Sequence, residues 1–349
     1  MFNLSSQDIA ALDALIEGAG SVCLTAHTRP DGDAVGSTFA LLGYLLARRG
    51  RREVSVLLSD RWPDSIAFAV PPEGASRTVI YTEDPVEVER RLSCADLVIC
   101  LDFNTLSRVS DMQDVLSACK APKVLIDHHP FPERESFELI FSETRVSSAS
   151  ELLLHVLKAM PDIDGDLGRL PASALFDLMT GITTDTNNFA NSVFPSTLEA
   201  CSDLIAAGVD RDAILDSLFK QSSEARVRAY GRLLADHMLI LPQGAALIVL
   251  DKRMSAEMGL VRGDTEGLVN IPLEIASVRM SIFVHEEQDE YRVSVRSKRG
   301  VLANAFAAKY FAGGGHDMAA GGRIPKDVVP QDRGSIQKYV SKCVREYFG

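Results

Sequence analysis

His27-Thr28-Arg29-Pro30-Asp31-Gly32-Asp33-Ala34-Val35-Gly36-Ser37 is the stretch whose reading decides the fold. It lies between two apolar segments of different character. Before it, Val22 to Ala26 is a short continuous run that reads as a buried strand. After it, residues 38–50 read as a helix with Gly50 just past its end. A loop rich in ligand groups therefore joins a strand to a helix. In an open parallel sheet that junction lies at the carboxyl edge, where ligands bind. His27 closes the strand, Asp31 lies in the turn, and Asp33 sits near the helix N-terminus. Two carboxylates this close repel one another unless a cation neutralises them, so the stretch reads as a metal site. The alternative is a solvated turn with an aspartate N-cap.

Two further apolar runs end in the same way. Leu97 to Leu101 is followed at once by Asp102, and Lys123 to Ile126 by Asp127-His128-His129-Pro130. If the three strands are parallel, their carboxyl ends share one edge and the three ligand sets converge. A helix from Pro171 to Thr183, with proline at its start, delivers Asp185 as a fourth acidic candidate. The other elements are a capped amphipathic helix from Ser5 to Gly18, strands at Val54–Leu58 and Val79–Tyr81, and helices at Glu83–Leu92 and Ser147–Met160. Asp162-Ile163-Asp164-Gly165-Asp166 lacks the glycine position and closing glutamate of a calcium loop, so it reads as an acidic surface turn.

Pro195 to about His237 is charged and helical in pattern, with Leu198, Leu204, Ile205, Ile214, Leu218 and Phe219 expected to be buried. It reads as a connection between domains. Beyond it, 245–250, 281–284 and 291–297 read as strands. In the last, Val293 and Val295 face one way, while Arg292, Ser294, Arg296 and Lys298 face the other as a basic row suited to phosphate. A helix from Leu302 to Phe311 leads into Gly313-Gly314-Gly315-His316. Such a glycine run lets backbone N–H groups approach an anion, and it places His316 beside a phosphate or base.

Composition narrows the class. The 349 residues suffice for two domains, and 46% apolar with 24% charged residues are the proportions of a soluble globular chain. A net charge of -12 argues against coating long nucleic acid, yet bound divalent ions would reverse the sign locally for a small anion. Cys23, Cys94, Cys100, Cys119, Cys201 and Cys343 form no CxxC, which fits reduced thiols in the cytoplasm. The N-terminus carries no secretory pattern, and no apolar run is long enough to span a membrane.

The ordered set HTRPDGDAVGS at 27–37, LDFNTLSR at 101–108, DHHP at 127–130, GITTDTNNF at 181–189 and GGGHDMAAGG at 313–322 resembles the DHH phosphoesterase superfamily with its associated C-terminal domain. In layout it is most similar to the bacterial nanoRNase / pAp phosphatase group. The resemblance implies an α/β protein. A doubly wound, mainly parallel N-terminal domain would span 1–192, a helical connection 193–240, and a smaller domain with a mixed sheet 241–349, with the active site in the interdomain cleft. It implies two divalent metal ions, Mn²⁺ first, with Mg²⁺, Co²⁺ or Fe²⁺ also compatible. His27, Asp31 and Asp102 would hold one ion. Asp33, Asp102, His128 and Asp185 would hold the other, Asp102 bridging. His129 would contact the substrate phosphate, Asp127 would orient its loop, Arg108 would contact phosphate, and Arg296 and His316 would reach across the interdomain cleft and hold the rest of the nucleotide.

The implied activity is hydrolysis of short oligoribonucleotides to mononucleotides and of pAp (3'-phosphoadenosine 5'-phosphate) to AMP and phosphate. A cyclic or linear dinucleotide phosphodiesterase of the cyclic di-AMP type is the neighbouring alternative, and a non-catalytic nucleotide sensor is the alternative from another class. A homodimer is compatible with the resemblance. Phe103 is left either to stack on a base or to pack in the core.

Overall fold

The computed structural model describes residues 4–48, 53–261, 263–330 and 332–349, so Gly50, expected to follow the helix of the first motif, lies outside the described residues. The chain divides into two compact units, Met1–Lys220 and Gln221–Gly349. Of the segment read as a helical connection, two helices fall in the first unit and one in the second.

The first unit is built on strands β1 (Ser21–Ala26), β2 (Glu53–Leu58), β3 (Thr78–Ile80), β4 (Leu97–Leu101), β5 (Lys123–Asp127) and β6 (Leu139–Ser142). They pair in the order β3-β2-β1-β4-β5-β6, every pair parallel. Its helices are α1 (Ser6–Gly18), α2 (Gly32–Ala47), α3 (Pro72–Arg77), α4 (Pro85–Ser93), α5 (Gln113–Ala118), α6 (Ala149–Ala159), α7 (Ala172–Asp185), α8 (Pro195–Ala206) and α9 (Arg211–Phe219). Both sheet faces are buried, which is why the strands read as continuous apolar runs. Leu97, Ile99 and Leu101 join the core under α1, α2, α6 and α7, while Val98 and Cys100 join a second core under α4 and α5. The two-residue period of a strand divides one apolar run between two layers. The strand order reverses between β1 and β4, and that switch point is where an open α/β sheet leaves a crevice at its carboxyl edge.

Glycines bring α2 against α7. A Cβ on Gly36 would lie 2.5 Å from the Asp177 carbonyl oxygen and 2.9 Å from the Gly181 nitrogen. The two backbones approach this closely only without those side chains. In α8 and α9 the buried set is Thr197, Ala200, Cys201, Leu204 and Ile214. Leu198, Ile205 and Phe219, expected inside, are exposed. The small residues at 200 and 201 mark the packed face, and Leu198 and Ile205, two turns apart, share a different one.

The second unit is a mixed sheet of β7 (Met238–Leu241), β8 (Ala245–Leu250), β9 (Met280–Glu286), β10 (Glu290–Ser297), β11 (Gly314–His316) and β12 (Ala319–Pro325), in the order β11-β12-β10-β9-β8-β7. Only β8 and β9 pair in parallel. Helices α12 (Ala303–Phe311) and α13 (Arg333–Phe348) share a core with one face, and residues of α10 (Glu224–Asp236) and α11 (Lys252–Glu257) with the other. Val293 and Val295 point inward as expected. The glycine run forms a strand of a hairpin rather than a loop. A Cβ on Gly313 would meet the Gly321 backbone, 2.7 Å from the Gly322 Cα, and one on Gly315, at φ +140, would lie 2.5 Å from the Ala319 oxygen. Chain packing thus requires glycine at 313 and 315, whereas a Cβ on Gly314 would meet open space.

Candidate metal centre

β1 and β4 are neighbours at the switch point, and each ends in a ligand group. His27 Nδ1 lies 2.8 Å from the Thr28 carbonyl oxygen, to which it donates, and this leaves Nε2 facing Asp102 Oδ2 at 3.3 Å and Asp31 Oδ1 at 3.7 Å. A ring held this way offers Nε2 to a metal. Asp31 is also the N-cap of α2, its Oδ1 accepting from the Asp33 and Ala34 amides at 3.1 Å each. The same oxygen faces His27 Nε2, so the cap holds a carboxylate whose oxygen is turned toward the cluster, and the cap and ligand readings of Asp31 are compatible.

Asp102 is buried at the centre with its backbone in the left-handed region, φ +61. A non-glycine residue there is strained, and such strain clusters at functional sites. His27 approaches one carboxylate oxygen of Asp102, and His128 Nε2 lies 3.5 Å from the other. On the far side His128 Nε2 is 3.6 Å from Asp185 Oδ2, at the C-terminal end of α7. Asp33 faces the same space from α2. Its two oxygens accept from the Ala149 amide at 2.6 Å and the Ser150 amide at 2.9 Å, the first two residues of α6. The positive end of that helix thus orients a buried carboxylate.

Without a cation the charges distort one another. Burial alone would lower His27, but its hydrogen bonds with Asp102 and Asp31 outweigh this and hold it up at about 11. Against the same burial effect Asp102, with Asp33 and Asp185, raises His128 to about 10. Burial, with Asp102 nearby, pushes Asp185 up to about 6 and Asp33 well above the usual carboxylate range. Asp102 moves the other way, below the usual range, because the attraction of His128 and His27 beside it exceeds the penalty of burial.

His129 turns aside. Its Nδ1 is 2.8 Å from Asp127 Oδ1, and its amide donates to Asp127 Oδ2 at 3.1 Å. Asp127 is wholly buried, so it fixes the ring and leaves Nε2 as the working nitrogen.

These donors fit metal ions. His27, Asp31 and Asp102 each offer one atom within 4.8 Å of the others, and so do Asp33, His128 and Asp185; Asp102, His128 and His129 form a third such group. Asp102 Oδ1 is buried without a hydrogen-bond partner, as expected of an atom facing a cation. Four carboxylates and two imidazoles are a hard, oxygen-rich set that suits divalent first-row metals and Mg²⁺.

The remaining sequence-selected residues are placed as follows. Arg108 is exposed, and its carbonyl accepts from the Thr28 amide at 2.8 Å, tying the 101–108 segment to the first motif. Arg296 on β10 is half-buried and donates to the Val295 and Ala320 carbonyls at 3.0 and 3.5 Å. Lys298 donates to the Ile275 and Ala276 carbonyls at 2.8 and 3.4 Å. The His316 backbone is in β11, and its side chain lies outside what is described. Phe103 is fully buried in the core under α4 and α5, which settles it as a packing residue. Sequence reading missed the clamp on Asp33. Its signal was Ser148-Ala149-Ser150-Glu151, an S-x-x-E capping pattern whose serine accepts from the Glu151 amide at 2.9 Å.

The doubly wound sheet, its switch point and this donor set together define a metal-dependent hydrolase. Comparison with known proteins makes the class specific. Residues 21–182 match the DHH family, N-terminal domain, and residues 250–346 match the DHHA1 domain. The chain belongs to the DHH family of phosphoesterases. It is 28% identical over 306 residues to the bifunctional oligoribonuclease and PAP phosphatase NrnA of Bacillus subtilis, covering 87% of this chain and 89% of that protein. It is 25% identical over 343 residues to the cyclic-di-AMP phosphodiesterase GdpP of Geobacillus thermodenitrificans, covering 97% of this chain and 49% of that one. Among solved structures, an exopolyphosphatase-related protein from Bacteroides fragilis is 30% identical with a TM-score of 0.89, covering 99% of this chain and 98% of that one. Among the described residues, no helix is long and apolar enough to cross a membrane.

Proposed function

We propose that this protein hydrolyses very short oligoribonucleotides to mononucleotides and removes the 3'-phosphate of pAp, using two divalent ions. The observation that carries the reading is the convergence of His27, Asp31, Asp33, Asp102, His128 and Asp185 at the switch point, in a chain similar to NrnA over nearly the full length of both. His27, Asp31 and Asp102 hold the first ion; Asp33, Asp102, His128 and Asp185 hold the second, Asp102 being shared. Mn²⁺ is the first choice for this donor set, with Mg²⁺, Co²⁺ and Fe²⁺ as alternatives. Bound ions of this kind supply an activated water and neutralise charge on the phosphoryl oxygens.

The chain's own residues do the rest. His129 presents Nε2–H to a phosphoryl oxygen and stabilises the charge that grows there, while Asp127 holds the ring. Arg108 in the first unit, and Arg296, Lys298, Gly313, Gly314, Gly315 and His316 in the second, are the proposed substrate contacts. The all-thiol cysteines fit a reducing, cytoplasmic setting. A second reading, turnover of cyclic di-AMP, has support from the likeness to GdpP.

Product analysis with Mn²⁺ tests both. The substrates are a 5'-phosphorylated RNA dinucleotide, pAp, linear and cyclic di-AMP, and a long single strand. Rapid loss of the linear dinucleotides and pAp with survival of the other two is expected. Preferential loss of cyclic di-AMP would transfer the protein to the second reading. No turnover with two ions bound would make it a sensor.

A further inference from the structure

The site described so far does not use Glu151, a fully buried carboxylate in the first turn of α6. Burying a carboxylate costs several kcal/mol unless hydrogen bonds replace its water. Here they do. Oε2 accepts from the Ser147 amide at 2.8 Å, the Ser147 hydroxyl at 2.6 Å and the Thr197 hydroxyl at 2.7 Å, and Oε1 faces His155 Nε2 at 3.8 Å. These bonds outweigh the burial effect and hold its pKa down at about 2.

The partners lie on both sides of the second ion's ligands. Ser147 belongs to the turn that launches α6, whose Ala149 and Ser150 amides grip Asp33. Thr197 opens α8 and accepts from the Phe194 amide at 3.1 Å, fixing the far end of the segment that follows Asp185. That segment is irregular: Asn187, Asn188, Phe189 and Ser192 all have positive φ, and in place of a regular ladder it has turn bonds such as those from the Asn188 amide to the Thr183 carbonyl at 2.8 Å and from the Asn191 amide to the Thr186 carbonyl at 2.9 Å. One carboxylate therefore ties the clamp on Asp33 to the anchor behind Asp185.

We propose that Glu151 is a positioning residue for the second metal ion, setting the relation between Asp33 and Asp185. The proposal rests on the two-ion reading above. Loss of a group bonded directly to a metal ligand lowers affinity by about 10–100-fold, and Glu151, one bond further out, should cost about the lower end of that range. It should fall on one site here, because His27 is held by the Thr28 carbonyl and Asp31 by the first amides of α2, not by α6 or α8.

The test is Mn²⁺ titration of the full-length metal-free chain, read by equilibrium dialysis and by electron paramagnetic resonance, for wild type, E151A, E151Q and T197V. Wild type should take up two ions and show the signal of a magnetically coupled pair. E151A should keep the first ion at wild-type affinity, lose the second by about tenfold or more, and show an isolated-ion signal. In E151Q the amide oxygen still accepts from Ser147 or Thr197, so its loss should be smaller. T197V removes the donor to Glu151 and the acceptor of the Phe194 amide at nearly constant shape, and carries the test if E151A fails to fold; it should weaken the second ion alone. Folded E151A and T197V binding both ions as wild type does would overturn the proposal, as would equal weakening at both sites. A wild-type chain that takes up one ion would refute the two-ion reading itself, and this proposal with it.

Discussion

Replacing Gly36 by alanine tests how α2 and α7 bring Asp33 and Asp185 into one site. Propensity alone favours the change, since alanine is better than glycine in a helix interior by about 1 kcal/mol. Packing opposes it. The new Cβ would stand 2.5 Å from the Asp177 oxygen and 2.9 Å from the Gly181 nitrogen, where ordinary contact begins at 3.4 Å. Both neighbours are backbone, so no rotamer change relieves the clash and the helices must separate. Overpacking of this kind costs about 1–3 kcal/mol, and the rigid contact places it in the upper part of that range. The net expectation is a loss of about 1–2 kcal/mol, which for a unit of this size lowers Tm by roughly 2–8 °C.

Gly43 on the same helix is the control. Its Cβ would stand 3.4 Å from the Ala174 Cβ, in ordinary contact, so G43A should gain up to about 1 kcal/mol. Thermal unfolding of the metal-free chain is followed by fluorescence of Trp62, the one tryptophan, which stands edge-on to Phe39 of α2 with ring centroids 5.7 Å apart and so reports on this unit. G36A melting at or above wild type would refute the close-packing argument. Equal shifts in G36A and G43A would show that propensity governs both.

Raising the pH from 6 to 8 should lower the metal-free Tm and enlarge the increase that Mn²⁺ produces. His27 and His128 are held up at about 11 and 10 from 6.5, so the stability they contribute is full below pH 6.5 and declines as the pH rises toward those values. Asp185, raised from 3.8 to about 6, acts in the same sense at lower pH, and deprotonated ligands bind ions better. An Mn²⁺-induced Tm shift that stays constant across this range would contradict the charge assignment. D102A should lose both ions in dialysis and reduce turnover at least about 100-fold; retention of either property at wild-type level would remove Asp102 from the centre. G314A should leave Tm unchanged, because its Cβ meets open space, while raising KM for dinucleotides; G313A should lower Tm. An unchanged KM in G314A would remove the hairpin from substrate binding.

The parallel sheet was legible because β1, β4 and β5 read as apolar runs that each stopped at a ligand; β6, half-exposed at the sheet edge, was not read at all. The convergence of those ligands followed from strand direction alone. What the sequence did not show was partnership at a distance. Nothing in Ala149 or Ser150 announces that their amides hold Asp33, since a backbone donor has no letter of its own. The exposed Leu198 and Ile205 misled for a related reason. In α8 the packed face is made of Ala200, Cys201 and Leu204, so hydrophobicity found Leu204 but added two residues that lie off that face. The triple glycine was read for what it permits a ligand to do; the hairpin shows that two of the three are required by the chain itself.

The same partnerships explain how so much negative charge is gathered in one place. Asp31 caps α2, and Asp33 is seated on the N-terminus of α6, so two helix dipoles and four backbone amides face the cluster before any cation arrives. They do not neutralise it, since Asp33 and Asp185 are still pushed above the usual carboxylate range. The helices therefore fix where the carboxylates stand, and the proposed metal ions would supply the charge that lets them stand there ionised. This division of work makes the positions of Asp33 and Asp185 depend on helix packing. On the proposed two-ion reading it would also make Gly36, Gly181 and Glu151, residues without a ligand atom toward the centre, determinants of whether the second ion is held.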